Sequence, residues 1–256
     1  MPNRKIKLFH PIAAFILLLW LPAHVSAATN DTNEQKLNVA RNLLQAGANP
    51  EVITVLDGVV TNSTATPAQM AVAHDLRRAA FFNQQKPEMA YEESAASIRL
   101  QRQVTNGQEF LSAILQMRAW HANRLQDYAE ADKCYRESVT LAPRNGIYLN
   151  ALAWHLACCP DSTFHDGILA IHYATQSNTL SQFDVPAELD TLAAAFARAG
   201  RYDESIGFQE RAMAHPKFLE NRKPEDVKNY ARRLQSYRDR KPHTDPRPET
   251  PPVPQE

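Results

Sequence analysis

Apolar residues recur along most of this chain at intervals of three and four positions, the spacing that places them on one face of an α-helix. Two such series are Leu111-Leu115-Ala119-Ala122 and Leu189-Leu192-Ala193-Phe196. No convincing run alternates apolar and polar residues as a half-buried strand does. The pattern therefore predicts an all-α fold.

Glycines mark the ends of these periodic segments. Five of the seven glycines stand where one segment stops or the next begins, and they are Gly47, Gly107, Gly146, Gly167 and Gly200. Glycine adopts the left-handed conformation that ends many helices, so this placement indicates helix punctuation. Thr66-Pro67-Ala68-Gln69 adds a start signal, with a capping hydroxyl, a proline at the first helical position and a glutamine to close the box.

A repeated unit is clearest between residues 190 and 212. Small or aromatic residues stand at its helix contacts and at its turn, namely Ala193, Phe196, Gly200, Tyr202, Ser205 and Ala212. This unit resembles a tetratricopeptide repeat, in which small residues let a first and a second helix approach closely and a glycine followed by an aromatic residue makes the turn. The resemblance implies a solenoid of helix pairs that serves in protein interaction.

Further copies of the unit precede this one. Their small second-helix residues are read as Ile53, Ala90, Ala131, Ala170 and Ser205, at spacings of 37, 41, 39 and 35. A period near about 34 with loop insertions is tolerated in a solenoid. We therefore predict a right-handed α-solenoid of about four to five helix pairs with a C-terminal capping helix.

A narrower resemblance covers about the last hundred residues. Residues 150–212, followed by Arg233-Leu234-Gln235-Ser236-Tyr237, resemble a group of tetratricopeptide proteins abundant in planctomycete-type bacteria. The first half of the chain fits that group poorly. The resemblance implies a fold and an interaction role, and it brings no catalytic residues.

The first 27 residues have the pattern of a secretory signal peptide. Arg4, Lys5 and Lys7 precede an apolar run over residues 12–21, and Val25-Ser26-Ala27 offers a small-residue cleavage site. The run is too short to span a bilayer, which takes roughly 20 apolar residues. We expect an exported periplasmic or secreted protein with no membrane span after cleavage, and a retained N-terminal anchor is the alternative.

The remaining chain divides by composition. Residues 28–108 are predicted to form degenerate repeat-like helices, and residues 109–240 three clearer repeats with the capping helix. Residues 241–256 contain six of the seventeen prolines and cannot form a core. This tail is expected to be extended and disordered, either as a simple terminus or as a ligand for a groove elsewhere.

Charge and cysteine content narrow the function further. The whole chain has 28 basic and 28 acidic residues, and loss of the leader leaves 25 basic and 28 acidic. Neither this balance nor a local cluster supplies the basic patch that nucleic-acid binding needs, so no nucleic-acid partner is predicted. Three cysteines are too few for a disulfide scaffold, and the core must come from apolar packing.

The repeat register also predicts which side chains line the groove formed by the first helices of successive pairs. The predicted partner-binding residues are Gln116, Trp120, Asn123, Arg124, Asn150, Trp154, Asp190 and Arg198. Amides bond an extended backbone, guanidinium groups pair with carboxylates, and indole rings supply contact area. Alternatively, both tryptophans pack between helices, and the two arginines are solvated or paired with acids.

The adjacent Cys158 and Cys159 invite a second interpretation, because His155 lies one turn earlier and His165 follows in the next segment. Adjacent cysteines rarely direct two thiolates at one ion, and no pair is separated by two residues. The alternatives are structural cysteines, a disulfide from Cys134 to one of the pair, or a metal or redox site. No cofactor and no metal are predicted.

No nucleophile elbow, phosphate loop, dinucleotide fingerprint or zinc-protease motif is present, so the chain is predicted not to be an enzyme. The leading hypothesis is a non-enzymatic scaffold or adaptor of the cell envelope that holds a protein or peptide segment in its groove. One alternative is a metal- or redox-active protein that uses the Cys158, Cys159 and His165 loop. Another is a structural subunit whose convex face packs into an envelope assembly. The oligomeric state is left open.

Overall fold

The computed structural model describes residues 32–220 and 223–248, and this part of the chain contains eleven α-helices and no strand. The helices are α1 (Thr32–Gln45), α2 (Asn49–Val60), α3 (Pro67–Asn83), α4 (Pro87–Gln101), α5 (Gln108–Arg124), α6 (Tyr128–Leu141), α7 (Gly146–Cys158), α8 (Gly167–Leu180), α9 (Pro186–Arg198), α10 (Tyr202–Ala214) and α11 (Pro224–Arg238). A 3₁₀ turn, Ser162–Phe164, lies between α7 and α8. The predicted all-α class is confirmed. The predicted leader lies outside the described residues.

Neighbouring helices form five pairs, α1 with α2 through α9 with α10, and each pair packs on the next. Two first helices also contact the first helix of the next pair, α1 with α3 and α7 with α9. The last helix, α11, packs on α10 and closes the series. This is the predicted solenoid of helix pairs with a capping helix.

Small residues at one position of each second helix explain why the pairs approach closely. Ala90, Ala131, Ala170 and Ser205 each stand three residues after the first residue of their helix, and each is fully buried. In α2 that position is occupied by Val52, which is also fully buried, whereas Ile53 is only half-buried. The sequence analysis therefore placed the first copy one residue too late, because two adjacent β-branched residues fit the apolar pattern equally well.

The turn inside a pair uses one backbone conformation. A residue with positive φ stands two positions after the end of the first helix in four of the five pairs, and these residues are Gly47, Gln85, Gln126 and Gly200. Glycine takes this conformation freely, whereas a glutamine there costs roughly 1 kcal/mol. The fourth pair, α7 with α8, has the 3₁₀ turn in its longer loop instead.

Apolar packing divides along the chain in the way expected of a linear array. One cluster joins α1, α2 and α3, and a second, larger cluster extends from α4 to α9 and includes Tyr237 of α11. Leu152 and Leu156 of α7 are among its fully buried side chains. Within the described residues, no helix is both long enough and apolar enough to cross a bilayer.

Candidate functional site on the first-helix face

The first helices of the last three pairs are α5, α7 and α9, and we call the surface at their carboxyl ends the first-helix face. The structure places the eight predicted partner-binding residues in two groups. Trp120, Asn123, Arg124, Trp154 and Arg198 are half-buried and stand at or near this face. Gln116, Asn150 and Asp190 are buried, with exposures of 5%, 2% and 0%.

The three buried residues correct the sequence analysis. Gln116 donates from Nε2 to the hydroxyl oxygen of Ser138 on α6, so its amide fastens one helix pair. Asn150 lies inside the packing of α7. These positions lie one turn or more before the helix end, where the first helix faces its neighbours. None of the three has a side chain available to a partner in this arrangement.

Asp190 is buried because it belongs to an ion pair that joins two helices. Its two carboxylate oxygens accept from Nε and Nη2 of Arg233 on α11, at 2.9 and 2.7 Å. Burial lowers the pKa of Arg233, but the adjacent carboxylate outweighs burial and holds that pKa above its ordinary value. The Arg233 guanidinium also lies 5.4 Å from the ring centre of Trp154. Through Arg233, the capping helix α11 thereby contacts both Asp190 of α9 and Trp154 of α7.

The carboxyl end of α7 is the centre of this face. The last carbonyls of a helix have no partner within the helix, and those of Leu156, Ala157 and Cys158 each accept from a different element. The Asp166 amide donates to Leu156 at 3.0 Å, Arg198 Nε donates to Ala157 at 2.6 Å, and the Asp245 amide donates to Cys158 at 2.8 Å. A positive guanidinium here also suits the negative end of the helix dipole.

Arg198 is held in place by a close approach of two backbones. A Cβ atom at Gly167, the first residue of α8, would lie 2.6 Å from the backbone nitrogen of Ala199 and 2.8 Å from the carbonyl carbon of Arg198. Only glycine allows α8 to begin so near the end of α9. The position of the Arg198 backbone therefore depends on this glycine.

The tail leaves α11 through a left-handed residue, Arg240, with φ 55°. That residue stands two positions after the helix end, as in the turns of the pairs. The Lys241 amide donates to the Ser236 carbonyl at 2.9 Å, and the Ser236 hydroxyl donates to the Lys241 carbonyl at 3.0 Å. The chain is thereby directed back toward α9 and α7.

Residues 241–248 then cross the first-helix face without helix or strand. Trp154 Nε1 donates to Asp245 Oδ2 at 2.7 Å, and Arg198 Nη2 donates to the His243 carbonyl at 2.7 Å and the Thr244 hydroxyl at 2.9 Å. Gln126 Nε2 donates to the Pro248 carbonyl at 3.0 Å. We call Gln126, Trp154, Cys158 and Arg198 the tail site.

The sequence analysis expected an extended, disordered tail over residues 241–256, either a simple terminus or a ligand for a groove, and residues 241–248 are extended and lie on the surface of the solenoid. Proline content correctly indicates that no core forms there, but it does not show whether an extended segment has a surface to bind. The carbonyls of α7 and the side chains of Trp154 and Arg198 supply that surface. The remainder of the predicted tail lies outside the described residues.

Trp120 occupies on α5 the position that Trp154 occupies on α7, four residues before the helix end. Its ring contacts Phe82 edge-on at 4.9 Å, and the Arg124 guanidinium lies 5.0 Å from the ring centre. Asn123 donates from Nδ2 to the Tyr135 hydroxyl at 3.3 Å. Phe82, Trp120 and Arg124 therefore form a compact aromatic and cationic cluster.

Each of these tryptophans is followed by a buried histidine. Burial, reinforced by Arg78, lowers the pKa of His121 to about 3. Burial also lowers the pKa of His155 to about 4, although Asp132 opposes the shift. His121 Nε2 accepts from Arg78 Nη1 at 3.5 Å, whereas neither ring nitrogen of His155 has a hydrogen-bond partner within the described residues. Both rings are neutral near pH 7.

All three cysteines are buried free thiols, so the structure contains no disulfide from Cys134 to Cys158 or Cys159. Burial raises the pKa of Cys158 well above its ordinary value and that of Cys159 to about 11. His165 Nε2 lies 2.7 Å from the Cys159 carbonyl oxygen. Within residues 32–220 and 223–248, no three histidine, cysteine or acidic side chains are grouped so that they could hold a metal ion.

Sequence reasoning missed three residues of this region, Gln126, Arg233 and Asp245. One signal was present for Arg233, because Asp190 stands in an alanine- and leucine-rich helix and a buried carboxylate requires a partner. Gln126 reaches Pro248 across 122 positions and Asp245 reaches Trp154 across 91, so only the folded chain brings them together. Their residue types carry no local signature.

Comparison with known proteins relates this fold to solved structures. No family model matches the chain, and no curated protein matches it. The chain is similar to BtubC from P. vanneervenii, with 14% identity, 88% of this chain and 96% of that chain covered, and a TM-score of 0.53. It is also similar to TTC0263, a thermophilic TPR protein of Thermus thermophilus, with 16% identity, 78% and 97% coverage, and a TM-score of 0.47.

A third similar structure is the TPR2AB domain of yeast Sti1 in complex with pHSP90, with 13% identity, 82% and 86% coverage, and a TM-score of 0.38. At these identities the similarity concerns the fold alone. The helix pairing described above and the similarity to BtubC agree on an all-α solenoid of helix pairs. The resemblance to proteins of planctomycete-type bacteria stays a prediction.

Proposed function

From this tetratricopeptide-like solenoid, we propose that the chain is a non-enzymatic interaction scaffold of the cell envelope. It binds an extended segment of a partner protein along its first-helix face. One observation carries this proposal: residues 241–248, an extended stretch of the chain itself, are hydrogen-bonded to Trp154 and Arg198. Trp120 and Arg124 stand at the equivalent positions of α5, so the same kind of seat extends toward that helix.

The residue types at this face suit an extended protein ligand. An extended peptide exposes its main-chain carbonyls, and arginine and amide side chains bond these without regard to sequence. Indole rings add area at low entropic cost. The export of the chain is proposed from the leader pattern of residues 1–27.

The alternative of a metal or redox protein receives little support. A thiol must lose its proton to bind a metal or to attack a disulfide, and burial raises the pKa of both Cys158 and Cys159. Zinc content after purification in zinc-containing medium tests this alternative. Equimolar zinc that disappears in Cys159→Ser would favour it over a scaffold.

Crosslinked capture from the envelope fraction tests the scaffold. We expect Trp120→Ala combined with Arg124→Ala to lower partner capture at least about tenfold, because these residues lie on the first-helix face. Their recorded ring contacts are with Phe82, with His121 and with each other, so the hydrogen bonds of the tail are left intact. Arg102→Ala is the matched control, since Arg102 is half-exposed and pairs with Glu137 of a second helix. Loss of capture in Arg102→Ala alone would instead favour packing of the opposite face into an assembly.

A further inference from the structure

The tail meets the first-helix face as a peptide ligand would. Three of its contacts involve the main chain, because the His243 and Pro248 carbonyls accept from Arg198 and Gln126, and the Asp245 amide donates to Cys158. Contacts of this kind are open to any extended segment. They do not require the sequence of the tail.

Two further contacts involve tail side chains and therefore select a sequence. The Asp245 carboxylate accepts from the Trp154 indole at 2.7 Å, and the Thr244 hydroxyl accepts from Arg198 at 2.9 Å. The His243 ring lies 3.2 Å from the other Asp245 oxygen and 5.9 Å, between ring centres, from Trp154. A carboxylate in the middle of the segment is thus held from two sides.

Prolines keep the segment extended before it binds. Pro242, Pro246 and Pro248 fix their own φ near the extended region and disfavour helix in the residue before each of them. Such a segment loses little entropy when it lies on a surface. Asp245 is itself followed by Pro246, so the residue held by Trp154 is already biased toward the bound conformation.

We propose that residues 241–248 are an intramolecular competitor that occupies the partner's docking site. The partner segment has the same chemistry: an extended, proline-containing stretch that presents a carboxylate to Trp154 and main-chain carbonyls to Arg198 and Gln126. This inference rests on the proposed function and adds the class of ligand and a barrier to its binding. A partner must displace the tail before it binds.

The extent to which the tail weakens partner binding depends on its covalent attachment to α11. A segment joined to its own site by a short linker has an effective concentration on the order of millimolar. A tail that binds in trans with a dissociation constant of about 0.1 mM would then occupy its site about nine-tenths of the time, and the apparent affinity of a competing segment would fall about tenfold.

The test compares three chains: the full chain, a chain that ends at Pro248 and a chain that ends at Arg240. The probe is a fluorescein-labelled peptide with the sequence of residues 241–256, followed by fluorescence polarisation. We expect the chain that ends at Arg240 to bind the peptide saturably, and the other two to bind it at least about tenfold more weakly. The chain that ends at Pro248 is the matched control, because it is truncated but keeps the contacts that residues 241–248 make with the tail site.

The same peptide with Asp245→Asn tests the ligand class. It loses the charge held by Trp154, and we expect its affinity for the chain that ends at Arg240 to fall about tenfold. Circular dichroism checks that this chain keeps its helices. If it does not fold, the full chain with Asp245→Asn and Thr244→Ala replaces it, since that variant weakens the tail at unchanged length, and it should bind the unaltered peptide more tightly than the full chain does.

Equal affinity of all three folded chains for the peptide would overturn the proposal, as would no binding to the chain that ends at Arg240 at about 1 mM peptide. Capture of envelope partners separates this failure from failure of the scaffold. Equal partner capture by the full chain and the chain that ends at Arg240 contradicts the competitor and leaves the scaffold intact. Peptide binding without partner capture by either chain contradicts the scaffold, and the competitor with it, and leaves only the docking of the tail on its own site.

Discussion

The two tryptophans of the first-helix face occupy the same position in neighbouring repeats but have different surroundings. Trp120 contacts Phe82 of the preceding repeat and Arg124 of its own helix. Trp154 donates a hydrogen bond to Asp245 of the tail. The Arg233 guanidinium of the capping helix lies 5.4 Å from the centre of the Trp154 ring. Arginines at equivalent positions differ likewise, since Arg124 packs on its own helix and Arg198 reaches α7 and the tail.

This difference shows that the repeat determines where a side chain stands, while the neighbouring elements determine what it contacts. Around Trp120 the preceding repeat supplies the neighbours. Around Trp154 the end of the chain supplies them, through α11 and through residues 241–248. The last pairs of the solenoid therefore carry a more specialised surface than the earlier ones.

The largest expected effect comes from removing the ion pair beneath Trp154. We expect Asp190→Ala to lower the free energy of unfolding by about 3–5 kcal/mol, because it leaves the buried Arg233 without a counter-charge. Chemical denaturation followed by circular dichroism measures this loss. Changing Arg233→Met in the same chain should restore much of the stability.

Arg102→Ala provides the contrast for that measurement. Arg102 Nη2 donates to both carboxylate oxygens of Glu137 at similar distances, 2.8 and 2.9 Å, but Arg102 is half-exposed. An exposed pair contributes about 1 kcal/mol or less. Similar losses in Asp190→Ala and Arg102→Ala would show that burial of the Asp190 pair does not determine its contribution.

Acid should weaken both tryptophan regions alike. The pKa of His121 is about 3 and that of His155 about 4 in the folded chain, below the unfolded value of about 6.5, so the unfolded state binds more protons as the pH falls. Stability is therefore lost below about pH 6.5. Between pH 7 and pH 5, each histidine should lower the free energy of unfolding by about 2 kcal/mol. Denaturation at pH 7 and pH 5 measures the sum, and an unchanged free energy of unfolding would contradict the neutral state of both rings.

Replacing each histidine by phenylalanine should separate the two regions at pH 7. His121→Phe removes the acceptor of Arg78 Nη1, and we expect it to cost about 1–3 kcal/mol. His155→Phe removes no hydrogen bond within the described residues and keeps a ring between Tyr135 and Phe164, so its cost should be below about 1 kcal/mol. Both variants should lose about half of the stability difference between pH 7 and pH 5. Equal losses of unfolding free energy in the two variants at pH 7 would contradict this difference between the two histidines.

Periodicity and small residues were enough to predict the helix pairs, because both signals act locally and repeat. The same register predicted that Trp154 and Arg198 reach the first-helix face, but it also assigned Gln116, Asn150 and Asp190 there. Their burial depends on a neighbouring helix, Ser138 of α6 for Gln116 and Arg233 of α11 for Asp190. The tail site could not be predicted, since it joins side chains to carbonyls more than forty positions away, and no residue type marks a carbonyl as available.

The smallest expected effect tests the bond between Trp154 and the tail directly. Trp154→Phe keeps a ring facing Arg233 but loses the indole donor to Asp245, so tail docking should weaken by about 1 kcal/mol, a reduced value because Asp245 is partly exposed. The Asp245 amide, which donates to the Cys158 carbonyl, should then exchange with solvent about fivefold faster. Trp120→Phe changes the equivalent ring, whose recorded contacts are with Phe82, His121 and Arg124, and should leave this exchange rate unchanged. Equally faster exchange in both variants would mean that attachment of the tail depends on the stability of the whole solenoid. Faster exchange in Trp154→Phe alone would show that the attachment depends on this one indole.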